Sequence, residues 1–557
     1  MLYTAEYKHP GFTKISQYYY RELISRNPIT ATWMGEHSFD GLLPETGADA
    51  VERNISFLRE MKADFCSLPE NELSIDERID CASMAHFADQ QLFMEEDLQQ
   101  WRMGRDLALC IGDAILMLFV RDFAPLSDRV LSMISRLKAV PVFLSSSKTL
   151  FQRVPALAGE IYLESAANLP GFLDTIEKSI AKHVAPVLAA EFAKASLEAK
   201  KSLSEFVHWF KYAIMPKTTS DWTIGHGAFQ ALLSVKKLGL TQSEITELAQ
   251  KVTNEANARI DNLSCIILGV TTGTATGARN EVLKKIKNHG PGSFELSLKA
   301  YREAMIRSRA FIEASGFATL PQGEELEILE TPEYMKHIIP FSAYIGPEKI
   351  STHQRGFYLL TRETSGQTGR YNYANIINSV IHEGYPGHHL QITAQNQHPG
   401  SMRSFCENME IIEGWAAYCQ KAVREMGFET SSESLFAHAS EEIFNAARLM
   451  TDINLQTRAW NVDQATQYLM EQAKIDKTTA LIEIKRQVLA PGSQLSSLTG
   501  EHLLCQLKND LKQKFQNNFS NRNFHDLLLY QGSVPIHVAR DFYPEIVKHH
   551  LKAKNRS

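Results

Sequence analysis

Eight long stretches of this chain repeat apolar residues at three- and four-residue spacing, a period that leaves little room for any architecture but a helical one. They cover residues 50–66, 73–104, 127–152, 172–214, 242–264, 296–315, 432–475 and 501–518. Residues three and four apart share one face of a helix. Ala, Leu, Glu and Lys, all good helix formers, are abundant in these stretches. Strand signals are few. Phe357-Tyr358-Leu359-Leu360-Thr361 is the best, with Leu326 to Thr331 behind it. It lies shortly before a histidine-rich segment, where an edge strand lining a substrate is expected. The pattern predicts a mainly α protein, a large helical one with a few short strands beside the helix that leads into that segment. Helix breaks are expected at Leu169-Pro170-Gly171, from Gly269 to Gly277, at His289-Gly290-Pro291-Gly292 and at Ala490-Pro491-Gly492. These divide the chain into a helical N-terminal region, residues 1–265, and a helical catalytic region, residues 295–557. The boundary is soft, and both can build one continuous body around a cleft.

Composition narrows the function classes. Of 557 residues, 44% are hydrophobic and 22% charged, and the net charge is −6. That is ordinary for a globular enzyme, and no basic stripe points to a nucleic-acid partner. The run Lys284-Lys285-Ile286-Lys287 reads as a solvated helix face. The most apolar window, Leu107 to Val120, is interrupted by Asp113 and is too short to span a membrane. No basic segment precedes an apolar one at the N-terminus, so a signal peptide is not expected. The seven cysteines are an odd number with no Cys-x-x-Cys spacing. Together these features lead to the expectation of a reduced, cytoplasmic protein. Cys406 and Cys419 are expected to be packing residues.

The chemistry concentrates in His382-Glu383-Gly384-Tyr385-Pro386-Gly387-His388-His389. A second carboxylate, Glu413 in Glu413-Gly414-Trp415-Ala416-Ala417-Tyr418, follows 30 residues after Glu383. Two histidines and one later acid suit a catalytic Zn²⁺, because they leave a fourth position for water. An acid beside the first histidine can then serve as general base. The spacing carries a geometric difficulty. On a straight helix His388 and His389 would rise about 9 and 10.5 Å above His382, whereas two nitrogens on one tetrahedral zinc lie only about 3.3 Å apart. Pro386-Gly387 offers an escape, since proline interrupts the helix and glycine tolerates unusual dihedrals. A bulge extruding two residues would bring His388 into the site, and one extruding three would bring His389. The smaller distortion is preferred, so the expected metal ligands are His382, His388 and Glu413, with Glu383 as base. His389 becomes a second-sphere group or an alternative ligand. Tyr418 is expected to pack or to line the cleft, Glu410 is a weaker candidate ligand, and Gly414, Ala416 and Ala417 are small enough to let the Glu413 helix approach the first.

At these residues the chain resembles the mostly bacterial family known as domain of unknown function 885, which looks like a remote relative of the gluzincin zinc metallopeptidases. The family's His-Glu-x-Tyr-Pro-Gly-His-His-Leu-Gln runs without a gap from His382 to Gln391, and its Glu-Gly-Trp-Ala-x-Tyr from Glu413 to Tyr418. Arg448-Leu449-x-x-Asp452, Phe524-His525-Asp526 and Gly532-x-x-Pro535 are further family-like segments, and the likeness runs over roughly residues 15–545. The resemblance implies a largely helical fold, bound zinc and peptidase activity. Two departures stand out. Asn454-Leu455-Gln456 replaces a Gly-x-His, and Ser497 stands where relatives carry a tyrosine. If that tyrosine donates to the developing oxyanion, its loss costs rate, on the order of 10²–10³. His525 is an alternative catalytic donor.

The function expected from the sequence is that of a zinc-dependent metallopeptidase, a hydrolase acting on short peptides through a metal-activated water. A non-peptidase metalloenzyme is the first alternative, because two histidines and a carboxylate also suit non-haem iron. A catalytically weakened metal-containing binding protein is the second, favoured by Ser497.

Overall fold

The computed structural model describes residues 5–270, 277–332, 339, 342–362 and 371–554. Helix accounts for 74% of it and strand for 4%. The predicted stretches form helices at Ala48–Ser67, Ile75–Leu92, Leu126–Ser147, Gln242–Leu268, Phe294–Ser315 and Ser497–Phe515. Two of the longest are interrupted. Residues 172–214 fall in Ala156–Ile180 and Pro186–Trp209, and residues 432–475 in Ser432–Gln456 and Val462–Ala473. The expected break at Leu169-Pro170-Gly171 is not one, since helix Ala156–Ile180 runs through Pro170. Proline there forfeits one backbone hydrogen bond, but Leu169, Phe172 and Leu173 around it are buried in a helical core, and that burial holds the helix together. The break after residue 268 is present: Gly269, at φ 68°, caps helix Gln242–Leu268 in the left-handed region. Most of the Thr-rich filling between Gly269 and Gly277 lies outside the described residues.

The strands form one three-stranded sheet in the order β1-β3-β2. Here β1 is Glu324–Glu330, β2 is Ser342–Ile345 and β3 is Gln354–Leu360. β3 runs parallel to β1 and antiparallel to β2. The Phe357 segment expected at an edge is therefore the central strand, and its near-continuous apolar run is why. Tyr358 and Leu360 face the largest core while Leu359 faces a second one. β1 and β2 are the two edges, and β2 is the one that carried no clear strand signal.

The largest core joins Ile79, Phe229 and Ile245 to Ile381, Trp415, Leu504 and Tyr543, so residues from both parts of the chain pack together. The second core is built by helices Leu107–Val120, Leu126–Ser147, Ala156–Ile180 and Pro186–Trp209. A buried cluster also ties the N-terminal segment to the later part of the chain. Arg403 donates to Asp80 at 2.6 Å and Asp76 at 3.2 Å, and Tyr7 donates to Asp80 at 2.7 Å.

One helix crossing sets the position of the later site. Helix Met409–Glu425 meets helix Ser497–Phe515 glycine to glycine. A Cβ added to Gly414 would stand 2.5 Å from the Gly500 carbonyl carbon, and one added to Gly500 would stand 2.0 Å from the Glu410 carbonyl oxygen. Gly414 thus serves approach to the Ser497–Phe515 helix and not, as expected, to the histidine-bearing helix. The Gly500→Ala variant is expected to lose about 1–3 kcal/mol of stability, because backbone and not a movable side chain blocks the new methyl. Urea denaturation of the variant and parent checks this.

Candidate metal centre

Asn372 begins the motif region, its side chain accepting from the Asn375 N–H at 2.9 Å to cap helix Tyr373–Ser379. The next turn, Val380–Gly384, widens into a π-helix. The Tyr385 N–H donates to the Val380 carbonyl at 3.1 Å, and the Gly387 N–H reaches the Ile381 carbonyl at 3.0 Å. Tyr385 is extended, the Tyr385–Pro386 peptide is cis, and a new helix, His388–Gln395, starts immediately after Gly387. The expected bulge within one helix is thus replaced by two helices joined at a sharp corner. Pro386 has no N–H to continue the first helix and holds Tyr385 in an extended conformation. Gly387 closes the corner: a Cβ there would lie 1.8 Å from the His382 carbonyl oxygen. The Trp415 indole N–H pins the corner by donating to the Pro386 carbonyl at 2.8 Å.

The corner brings His388 back to His382. Their rings lie 4.8 Å apart at 90°. Glu413, on helix Met409–Glu425, faces both: Oε2 is 3.8 Å from His382 Nε2 and Oε1 is 3.8 Å from His388 Nε2. These separations exceed hydrogen-bond length. One ligand atom from each of the three residues lies within 4.8 Å of the others, and among the described residues no other group of three or more His, Cys, Asp or Glu is so arranged. The donor set suits zinc. Burial and the neighbouring His388 lower the His382 pKa to about 3, with Gln420 opposing, so the ring is a neutral donor. Nδ1 of His382 is buried without a full hydrogen bond. Gln420 stands beside it, its amide nitrogen donating to Glu441 at 2.9 Å, which leaves the amide oxygen for that ring.

Glu383 is enclosed yet keeps some accessible surface. Burial raises its pKa; His388 opposes, and Glu413 and Glu441 add to the rise. Burial raises the Glu441 carboxyl as well. A carboxylate made more basic beside a metal-type cluster is suited to accept a proton.

His389 points elsewhere. It is fully buried, with Nε2 2.8 Å from Glu324 Oε2 and Nδ1 2.9 Å from the Tyr344 hydroxyl. Tyr385 also donates to Glu324, and Arg309 Nε does so at 2.9 Å. The structure therefore gathers His382, His388, Glu383 and Glu413 and keeps His389 apart. His388→Ala is expected to lose zinc and His389→Ala to retain it, as metal analysis of the two purified variants after dialysis will read.

Other candidates take separate places. His525 has both ring nitrogens engaged: Nε2 lies 2.7 Å from the Tyr418 hydroxyl and Nδ1 2.7 Å from the Phe317 carbonyl. Neither nitrogen is left for a substrate, so the donor role expected of His525 has no free atom to perform it. Tyr418 also accepts from Lys508 at 2.8 Å and is buried rather than lining the site. Glu410 pairs with Lys236 at 2.6 Å. Cys406 and Cys419 are buried, and burial pushes both thiols up. Ser497 opens helix Ser497–Phe515 and is half-buried. Asp452 shapes the turn before it, accepting from the Gly492 and Gln494 N–H groups at 3.3 and 3.1 Å.

Four residues escaped sequence reasoning: Glu324, Tyr344, Gln420 and Glu441. Glu324, Tyr344 and Glu441 carry no local signal. Gln420 could have been suspected, since it lies seven residues after Glu413 and so on the same helix face.

A profile of the family described as "Bacterial protein of unknown function (DUF885)" matches residues 28–542. No curated protein matches the chain. Two solved structures share its fold. One is a protein of unknown function from Shewanella oneidensis, provisionally described as a lipoprotein. It is 18% identical, with a TM-score of 0.79 over 96% of this chain and 99% of the other. The second, from Colwellia psychrerythraea and likewise provisionally described as a lipoprotein, is 16% identical, with a TM-score of 0.80 over 97% of this chain and 99% of the other. In the described residues no helix is long and apolar enough to cross a membrane.

Proposed function

This chain belongs to the DUF885 family, and from the site it carries we propose that it is a zinc-dependent peptidase acting on short peptides. The observation behind the reading is the convergence of His382, His388 and Glu413 on one point with Glu383 beside it. The order of these groups, two histidines and a later glutamate, is that of the gluzincin metallopeptidases, and a remote kinship with them is part of the proposal.

His382, His388 and Glu413 would hold the ion. Zinc supplies Lewis acidity when bound, polarising a carbonyl and easing deprotonation of water. The chain's own residues do the rest. Glu383 takes the proton of the attacking water and passes it to the nitrogen of the leaving amine as the C–N bond breaks. Its raised pKa favours holding that proton between the two transfers. Gln420, held by Glu441, would orient His382 through its free amide oxygen. The Gly387 corner keeps His388 within reach.

The test is elemental analysis of purified protein followed by turnover of a broad library of short peptides. About one zinc per chain together with cleavage of some library members is expected. Substoichiometric zinc after reconstitution, or iron in its place, counts against the metal assignment. Full zinc without any cleavage counts against the peptidase assignment.

A further inference from the structure

We propose that His86 and His537 form a second metal site, which takes a divalent ion that favours nitrogen ligands, such as zinc, and clamps helix Ile536–Lys554 to helix Ile75–Leu92. The proposal uses none of the residues of the centre at His382 and does not depend on the peptidase reading.

The two helices lie side by side and antiparallel. Arg78 pairs with Glu545 at 2.7 Å, and its guanidinium lies over the Phe542 ring. Eight residues later on the first helix and eight earlier on the second, His86 meets His537. Their rings lie 4.7 Å apart at 65°, close to the 4.8 Å that separates His382 from His388. His86 is 2% exposed. His537 is half-buried and opens the pair to solvent on one side.

Both nitrogens of His86 and Nδ1 of His537 are buried with no hydrogen-bond partner among the described residues. A neutral imidazole carries one N–H and one lone pair, and groups so deeply placed ordinarily find partners. Here the two rings do not even bond to each other. An ion between them would take one lone pair from each. Burial, with His537 and Lys237 adding, lowers the His86 pKa to about 3, and burial lowers that of His537 to about 4. Both rings are therefore neutral, the form that binds metal, and imidazole suits zinc. The nearby cations are already matched, Lys236 by Glu410 at 2.6 Å and Lys237 by Asp89 at 3.5 Å. Asp541, one turn after His537 and exposed, offsets part of the ion's charge. Among the described residues no third His, Cys, Asp or Glu closes on the pair. Water on the His537 side fills the remaining positions, and the ion is held less tightly than one on two histidines and a carboxylate.

The experiment equilibrates the zinc-free full chain with buffered free zinc and counts the ions bound, because an ion on two side chains would leave on dialysis. The parent, His537→Ala, His388→Ala and the double variant are compared. Two zinc ions are expected on the parent, one on each single variant and none on the double. Anomalous scattering at the zinc edge from parent crystals should place the second ion between the His86 and His537 rings. His537→Phe, which keeps a ring in the seam, should lose the same ion as His537→Ala with helix content unchanged by circular dichroism. Equal zinc on the parent and the His537 variants, or no zinc on His388→Ala, overturns the site, and a water then bridges the two rings. A single zinc on the parent that His537→Ala abolishes and His388→Ala retains upholds this site and overturns the centre at His382.

Discussion

Glu383→Gln is expected to slow peptide hydrolysis by a factor of about 10² or more while leaving zinc bound, the loss typical of removing a general base. The substitution is nearly isosteric, so folding should not change. Glu383 follows His382 directly, and on a helical turn its side chain points about 100° away. Among the described residues the metal-type cluster consists of His382, His388 and Glu413 and does not include Glu383. Removing its charge should therefore spare the ion. Glu413→Gln supplies the contrast. Its carboxylate oxygens face both histidines at 3.8 Å, so this variant should weaken zinc binding together with turnover. Metal content and peptide turnover are to be measured on both variants and the parent. A Glu383→Gln enzyme as fast as the parent removes Glu383 from the mechanism. A Glu413→Gln enzyme that holds zinc as tightly as the parent removes Glu413 from the ligand set.

Gly387→Ala should dismantle the site without touching any ligand. The added methyl would meet the His382 carbonyl oxygen at 1.8 Å and the Ile381 carbonyl oxygen at 2.5 Å. Both obstacles are backbone, in a turn already held by the Gly387 N–H bond to Ile381 and by the Trp415 bond to Pro386. The corner has to open, and His388, the next residue, moves with it. A cost of about 2–3 kcal/mol and loss of zinc are expected, whereas alanine at solvent-open Gly171 should do neither. Thermal denaturation and zinc content of the two variants decide. A Gly387→Ala protein that keeps full zinc would show that the corner does not position His388.

The helical class and most helix positions could be read from residue spacing, because helix period is local and the apolar faces at 48–67, 126–147, 242–268 and 294–315 are buried as that period requires. Helix ends were less legible. Pro170 reads as a stop, and only its packing in the core lets the helix continue. β2 was invisible because four residues at a sheet edge carry no pattern of their own; its pairing with β3 defines it. Gly414 was read for its smallness, correctly, but its partner Gly500 lies 86 positions away, and no spacing rule connects them.

The same division runs through the site. The sequence by itself determined the chemical types present: imidazoles, a neighbouring carboxylate and a later glutamate, with a Pro-Gly step that had to break the helix between them. Steric rules for proline and glycine act on adjacent residues, so that much is local. Which histidine turns toward Glu413 was decided only by tertiary structure. Glu324 and Tyr344, both brought from the sheet, claim the two nitrogens of His389, with Glu324 itself held by Arg309 of helix Phe294–Ser315, and leave His388 to face Glu413. Such a choice depends on buried polar groups finding partners across long sequence separations, and it exists only once the sheet and both helices have packed.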